Sequence, residues 1–88
     1  MALKIINHQN TFKIEGEINS ITVNNFDNHI KSLLKSLMNL TIDLSKVSHI
    51  DTEGKHSIRH LKQYAGLFKR RLDFILTKEQ EQHLGLIV

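Results

Sequence analysis

Apolar and polar residues alternate most clearly from Thr11 to Ile18. Phe12, Ile14 and Ile18 fall on one side with Gly16 in step, while Thr11, Lys13, Glu15 and Glu17 fall on the other. This period of two predicts a strand with one wet face. Residues 2–7, with Leu3, Ile5 and Ile6, predict a shorter strand before it. The turn-forming run Asn7-His8-Gln9-Asn10 between them suggests an antiparallel hairpin. After Asn19-Ser20 the period changes. Val23, Phe26, Ile30, Leu33, Leu34 and Leu37 recur at spacings of three and four, one stripe on a helix over 22–38, with Thr22 or Ser20 as its cap. Leu40, Ile42 and Leu44 alternate again and predict a third strand over 40–45, with Val47 and Ile50 as apolar anchors under a loop. A second helix is expected over 52–68, capped by Asp51 or Thr52, with Ile58, Leu61, Ala65 and Phe68 as its inner stripe. Residues 72–76 read as a fourth strand. Thr77 then caps a short helix through 84, with Glu79-Gln80-Glu81 in its first turns.

The predicted order is β-β-α-β-α-β-α. Both strand–helix–strand connections are long enough to join parallel strands, and such crossovers are right-handed. The fold class is therefore α/β, a four-stranded mixed sheet with helices packed on it, expected as a single domain over 1–88. A chain of 88 residues has a thin core and no room for a second domain framing a deep cleft.

Composition narrows the chemistry. With no cysteine there is no disulfide framework, thiol nucleophile or zinc ribbon. No apolar run approaches the length of a membrane span, and the early break at Asn7-His8-Gln9-Asn10 leaves no long signal-peptide core. A cytoplasmic protein without membrane association is the expectation. The formal charge of +3, from 12 Lys and Arg against 9 Asp and Glu, commits the chain to no polyanion.

Three places merit chemical attention. The first is Ile50-Asp51-Thr52-Glu53-Gly54, where the third strand meets the second helix. Ligands and partners of parallel sheets meet the carboxyl ends of strands, and a helix start offers free N–H groups. Capping alone also explains Asp, Thr and Glu there, and one glycine does not make a phosphate cradle. The second is Glu53, His56 and His60, which share one narrow helix face; two solvated histidines explain this as well as a metal would, so no metal is expected. The third is the acid-free stretch from Lys55 to Arg71, with Lys55, Arg59, Lys62, Lys69, Arg70 and Arg71. A nucleic-acid surface needs such charges on one face with stacking aromatics. Only Tyr64 and Phe68 are near, so a solvated basic face is favoured and no nucleic-acid partner is expected. No enzyme constellation emerges: Ser57 adjoins His56, but neighbouring helical residues point about 100° apart. No cofactor is implied.

Two runs resemble a known family. Phe12-Lys13-Ile14-Glu15-Gly16-Glu17-Ile18-Asn19-Ser20-Ile21-Thr22-Val23 resembles the opening of STAS domains, hydrophobic-x-G-E-hydrophobic-(D/N)-x-x-(T/S). Leu40-Thr41-Ile42-Asp43-Leu44-Ser45-Lys46-Val47-Ser48-His49-Ile50-Asp51-Thr52-Glu53-Gly54 resembles that family's central D-L-S-x-V and I-D-S-S-G. The family comprises bacterial anti-sigma-factor antagonists and their relatives. The resemblance implies a non-catalytic module that regulates transcription by binding a switch kinase or an anti-sigma factor. It implies a contact surface of Asp51, Thr52, Glu53, Gly54, Lys55 and His56, with Asn19, Ser20 and Thr22 on a neighbouring loop. In the family the third residue of D-S-S-G is phosphorylated, which releases the partner. Here Thr52 stands at the first serine and Glu53 at the modified one. Three readings follow: Glu53 mimics the modified state, phosphorylation moves to Thr52, or the module is not phospho-regulated. Capping already accounts for Glu53, which favours the last. A small-ligand or nucleotide sensor is the alternative function; Lys55 favours a phosphate, and Asp51 and Glu53 oppose one. The apolar Leu86-Ile87-Val88 is expected to dock on the chain's own core, or else to join two chains as a homodimer.

Overall fold

The computed structural model describes residues 3–84. Its elements are β1 (Lys4–His8), β2 (Thr11–Ile18), α1 (Val23–Ser36), β3 (Asn39–Ile50), α2 (Thr52–Leu67), β4 (Arg71–Ile75) and α3 (Lys78–Leu84), in the expected order. The strands lie side by side as β1-β2-β3-β4. The β1–β2 pair is an antiparallel hairpin, and β2–β3 and β3–β4 are parallel. The inner strand residues Phe12, Ile14, Ile18, Ile42, Leu44 and Leu72 form one core with Phe26 and Ile30 of α1 and Ile58 and Leu61 of α2. Leu86-Ile87-Val88, expected to dock or dimerise, lie outside the described residues.

The structure departs from the periodic reading in three places. First, β3 does not end at Ser45 but runs to Ile50. Leu44, Val47 and Ile50 are all buried although spaced by three, because β3 carries an extra residue at each of two register shifts against β2, between Lys13 and Glu15 and between Gly16 and Glu17. Gly16 adopts φ 115 between these shifts, a conformation closed to most side chains. The irregular strand is held by side chains: Gln80 Nε2 of α3 donates to the Leu44 and Val47 carbonyls at 2.7 and 3.3 Å, and Ser48 Oγ to Gly16 O at 3.2 Å. Gln80 also closes a reciprocal cap with Thr77, Gln80 N to Thr77 Oγ1 at 3.1 Å and Thr77 N to Gln80 Oε1 at 2.9 Å.

Second, Phe68 is not on the core stripe; it is 60% exposed. α2 stops at Leu67, and its end closes by Arg70 N donating to Ala65 O at 2.8 Å and Lys69 N to Gly66 O at 3.1 Å. This is a Schellman closure, and its left-handed position, where glycine is usual, is filled by Lys69 at φ 55. Third, Thr22 stands at the N-cap of α1 as expected, but neither it nor Ser20 makes a side-chain cap bond; the turn leading into α1 is held by Asn19, as described below.

On the wet face of β3, burial disfavours the Asp43 carboxylate. The hydroxyl and amide of Ser45, at 2.6 and 2.9 Å, and the nearby Lys13 and Lys46 outweigh that effect and lower its pKa from the ordinary 3.8. A depressed carboxyl stabilises the fold fully above its unfolded value and loses that contribution as pH falls through the folded one. The stability difference between wild type and Asp43→Asn, read by urea unfolding, is therefore expected to hold steady from about pH 5 to 7 and to shrink below about pH 4. In the same assay Lys69→Gly is expected to stabilise the domain by about 1 kcal/mol, by relieving the left-handed lysine.

Candidate functional site

Parallel β2 and β3 finish together, Ile18 beside Ile50, and both major helices begin at that edge. The chain leaves β3 through Asp51, whose N–H donates to Ile18 O at 3.0 Å. Its extended backbone (φ −86, ψ −173) is that of an N-cap. One carboxylate oxygen accepts from Gly54 N at 3.0 Å and caps α2; the other accepts from Ser20 N at 3.2 Å. A single side chain thus closes one helix and pins the neighbouring loop.

That loop is ordered from within. Asn19 Oδ1 accepts from Ile21 N at 2.9 Å and Thr22 N at 3.1 Å. The Thr22 hydroxyl donates to Glu17 O at 2.7 Å and accepts from Asn19 N at 3.0 Å. Thr22 is only 5% exposed, so its place is beneath the loop surface, not on the contact surface expected for it. Gly54 is buried too. A Cβ there would stand 2.8 Å from Ile50 Cγ2 and 2.9 Å from both Ile18 Cγ2 and Ile18 O. Only glycine lets the first turn of α2 lie this close on the strand ends.

Above this foundation, Ser20, Thr52, Glu53 and His56 are exposed, and Asn19, Asp51 and Lys55 are half-buried. Ile21, 78% exposed on the same loop, was not marked by its sequence context. Glu53, His56 and His60 share a shallow groove of about 230 Å³ with Asn24, Asp27 and Ser57. Among the described residues no three His, Asp or Glu side chains are grouped to hold a metal. The groove floor is a link that periodicity did not disclose. Ser57 Oγ donates to Asp27 Oδ1 at 3.0 Å, and Lys31 Nζ pairs with Asp27 Oδ2 at 2.9 Å, joining α2 to α1. The i,i+4 spacing of Asp27 and Lys31 was the one visible hint. The basic stretch divides: Lys55 is at this site, Lys62 lies over the Phe74 ring at 6.0 Å, and Arg71 pairs with Asp73 at 3.1 Å.

The family model for the STAS domain matches residues 1–81. The chain belongs to the STAS domain family. Among solved structures it is similar to an anti-sigma factor antagonist from Mycobacterium paratuberculosis, with TM-score 0.75 and 20% identity over 96% of this chain and 77% of that one. It is also similar to the anti-sigma factor antagonist SpoIIAA in its unphosphorylated form, with TM-score 0.64 and 11% identity over 97% and 99% of the two chains. A third likeness, to Mglu, has TM-score 0.65 and 14% identity over 81% of this chain but spans only 18% of that one. At these identities the likeness is one of fold. No curated protein matches the sequence.

In this STAS domain the Asp51–Gly54 junction lies within the residues matched. Gly54→Ala is expected to cost about 1–3 kcal/mol, since the Ile18 carbonyl on one side of the added methyl is backbone and yields little. Asp51→Ala is expected to cost about 1–2 kcal/mol through the lost cap and to release Ser20 and Ile21. Urea unfolding reads the first effect, and amide hydrogen exchange of the 19–22 loop reads the second.

Proposed function

We propose that this STAS domain is a regulatory protein-interaction module that acts by binding, and that its contact surface is Asp51, Thr52, Glu53, Lys55 and His56 with Asn19 and Ser20. The observation that carries this reading is the double use of the Asp51 carboxylate. By fixing Gly54 N and Ser20 N together, it holds the start of α2 and the 19–22 loop in one rigid frame. A partner then meets a preorganised surface and loses little ordering entropy on binding. The partner class suggested by the family is a switch kinase or an anti-sigma factor.

The charge at this corner supports a constitutive module. Glu53 sits in the first turn of α2, where a carboxylate suits the helix dipole. It supplies a fixed negative charge at the position that other members modify. The Thr52 hydroxyl is exposed, but a phosphate on it would stand between the carboxylates of Asp51 and Glu53, against like-charge repulsion. The same carboxylates oppose a nucleotide phosphate, so the protein-binding reading is the better supported one.

The test captures the partner from the native cell and measures its affinity for variants by calorimetry. Glu53→Lys is expected to weaken binding at least about tenfold, as reversal of a charge in a complementary interface does, while costing the fold only about 1 kcal/mol through the helix dipole. Co-expressed with a bacterial switch kinase, wild type is expected to keep its mass and Glu53→Ser to gain one phosphate. Unchanged affinity in Glu53→Lys would remove this corner from the interface. A phosphate mapped to Thr52 in wild type would show a switched module instead of a constitutive one.

A further inference from the structure

The end of the domain remote from Asp51 breaks several local rules within a few residues. Gly66 lies inside α2, yet nothing stands within 4 Å of where its Cβ would be, so packing does not require glycine there. Leu67 is 81% exposed and Phe68 60%, and Met38, whose carbonyl accepts from Arg71 N at 2.8 Å, is 63% exposed. Lys69 occupies a left-handed position at φ 55. Such departures are expected where a surface serves something other than stability. At the same end lies a groove of about 300 Å³ between the ends of α1 and α2, lined by Leu34, Lys35, Tyr64, Phe68 and Arg70.

The charge of this end has one sign. The segments that build it, 28–42 and 54–72, contain no Asp or Glu. Lys35, Lys69 and Arg70 take part in none of the ion pairs among the described residues. An apolar groove between unpaired cations complements an apolar side chain flanked by carboxylates. We propose that this end is a second docking surface, which takes an acidic amphipathic helix of a partner protein, with one apolar side chain in the groove between Lys35 and Arg70.

Two observations favour a protein segment over other anionic partners. The apolar site is concave, which suits an inserted side chain, as in helix-in-groove recognition, better than the plane of a bilayer. The aromatic platform is small: Tyr64 packs against Phe68 at 4.9 Å and carries Lys31 Nζ at 5.2 Å, which leaves Phe68 alone open where a nucleic-acid strand needs several rings for successive bases. With 16 residues in α2, this surface lies roughly 24 Å from the Asp51 corner and is independent of it.

The probe is a synthetic amphipathic peptide about four helical turns long, Leu on one face and Glu on the other, titrated into the full chain labelled with ¹⁵N. Amide shifts are expected in 34–38 and 64–71 and not in 51–56. The double variant Lys35→Glu/Arg70→Glu, checked by circular dichroism for its fold, is expected to bind at least about tenfold more weakly. Replacing the peptide's Glu by Lys should restore binding to that variant. Absence of shifts at millimolar peptide, or shifts centred on 51–56, overturns the proposal. So does failure of the charge swap, or binding of phosphatidylglycerol vesicles or single-stranded RNA in place of the peptide.

Discussion

The closest constraint in this molecule is the seating of the first turn of α2 on the ends of β2 and β3. It is possible only because position 54 lacks a side chain: a methyl would meet Ile50, Ile18 and the Ile18 carbonyl at or below 2.9 Å. Close seating brings the start of α2 near the β2–α1 loop, and only then can one carboxylate bond both Gly54 N and Ser20 N. The exposed residues Thr52, Glu53 and Ser20 take their relative positions from that pair of bonds. Packing below and presentation above are therefore one constraint, and a change beneath the surface is felt on it.

The domain separates its tasks by position. The sheet and the inner stripes of α1 and α2 supply the apolar core, in which Ile14, Ile18, Phe26, Ile30, Ile42 and Ile58 are fully enclosed. The polar links are few and placed where packing leaves gaps. Asp27 ties Ser57 to Lys31 between the helices, and Gln80 satisfies the carbonyls that the irregular β3 releases. Among the described residues every buried polar side-chain atom has a partner, as a small domain with little stability to spare requires.

Period and capping made much of this fold legible. Thr11–Ile18 alternates without interruption and is a strand of those bounds, and the three- and four-spaced stripe of α1 is the face it buries. The errors have physical causes. Val47 and Ile50 looked like anchors under a loop because a bulged strand loses its period of two while still burying the same face. Phe68 continued the helical spacing on paper, but α2 ends one residue earlier and the chain turns away at Lys69. Thr22 takes the N-cap position of α1, yet its hydroxyl turns inward to Glu17 O instead of capping, and Asn19 orders the turn before it. At the candidate site the motif residues were readable. The Ser20–Asp51 and Ser57–Asp27 bonds were not, since they join residues 31 and 30 positions apart and depend on how the layers meet.

The two outer strands, β1 and β4, are each only five residues long. Lys4 and His8 project from one, and the Arg71–Asp73 pair occupies the other. Short edges bearing charge resist the lateral strand-to-strand joining by which β proteins polymerise. The backbone groups left open at the two edges are therefore few, and the exposed loops and helix termini, not the sheet, make up the surface at the β2–β3 end.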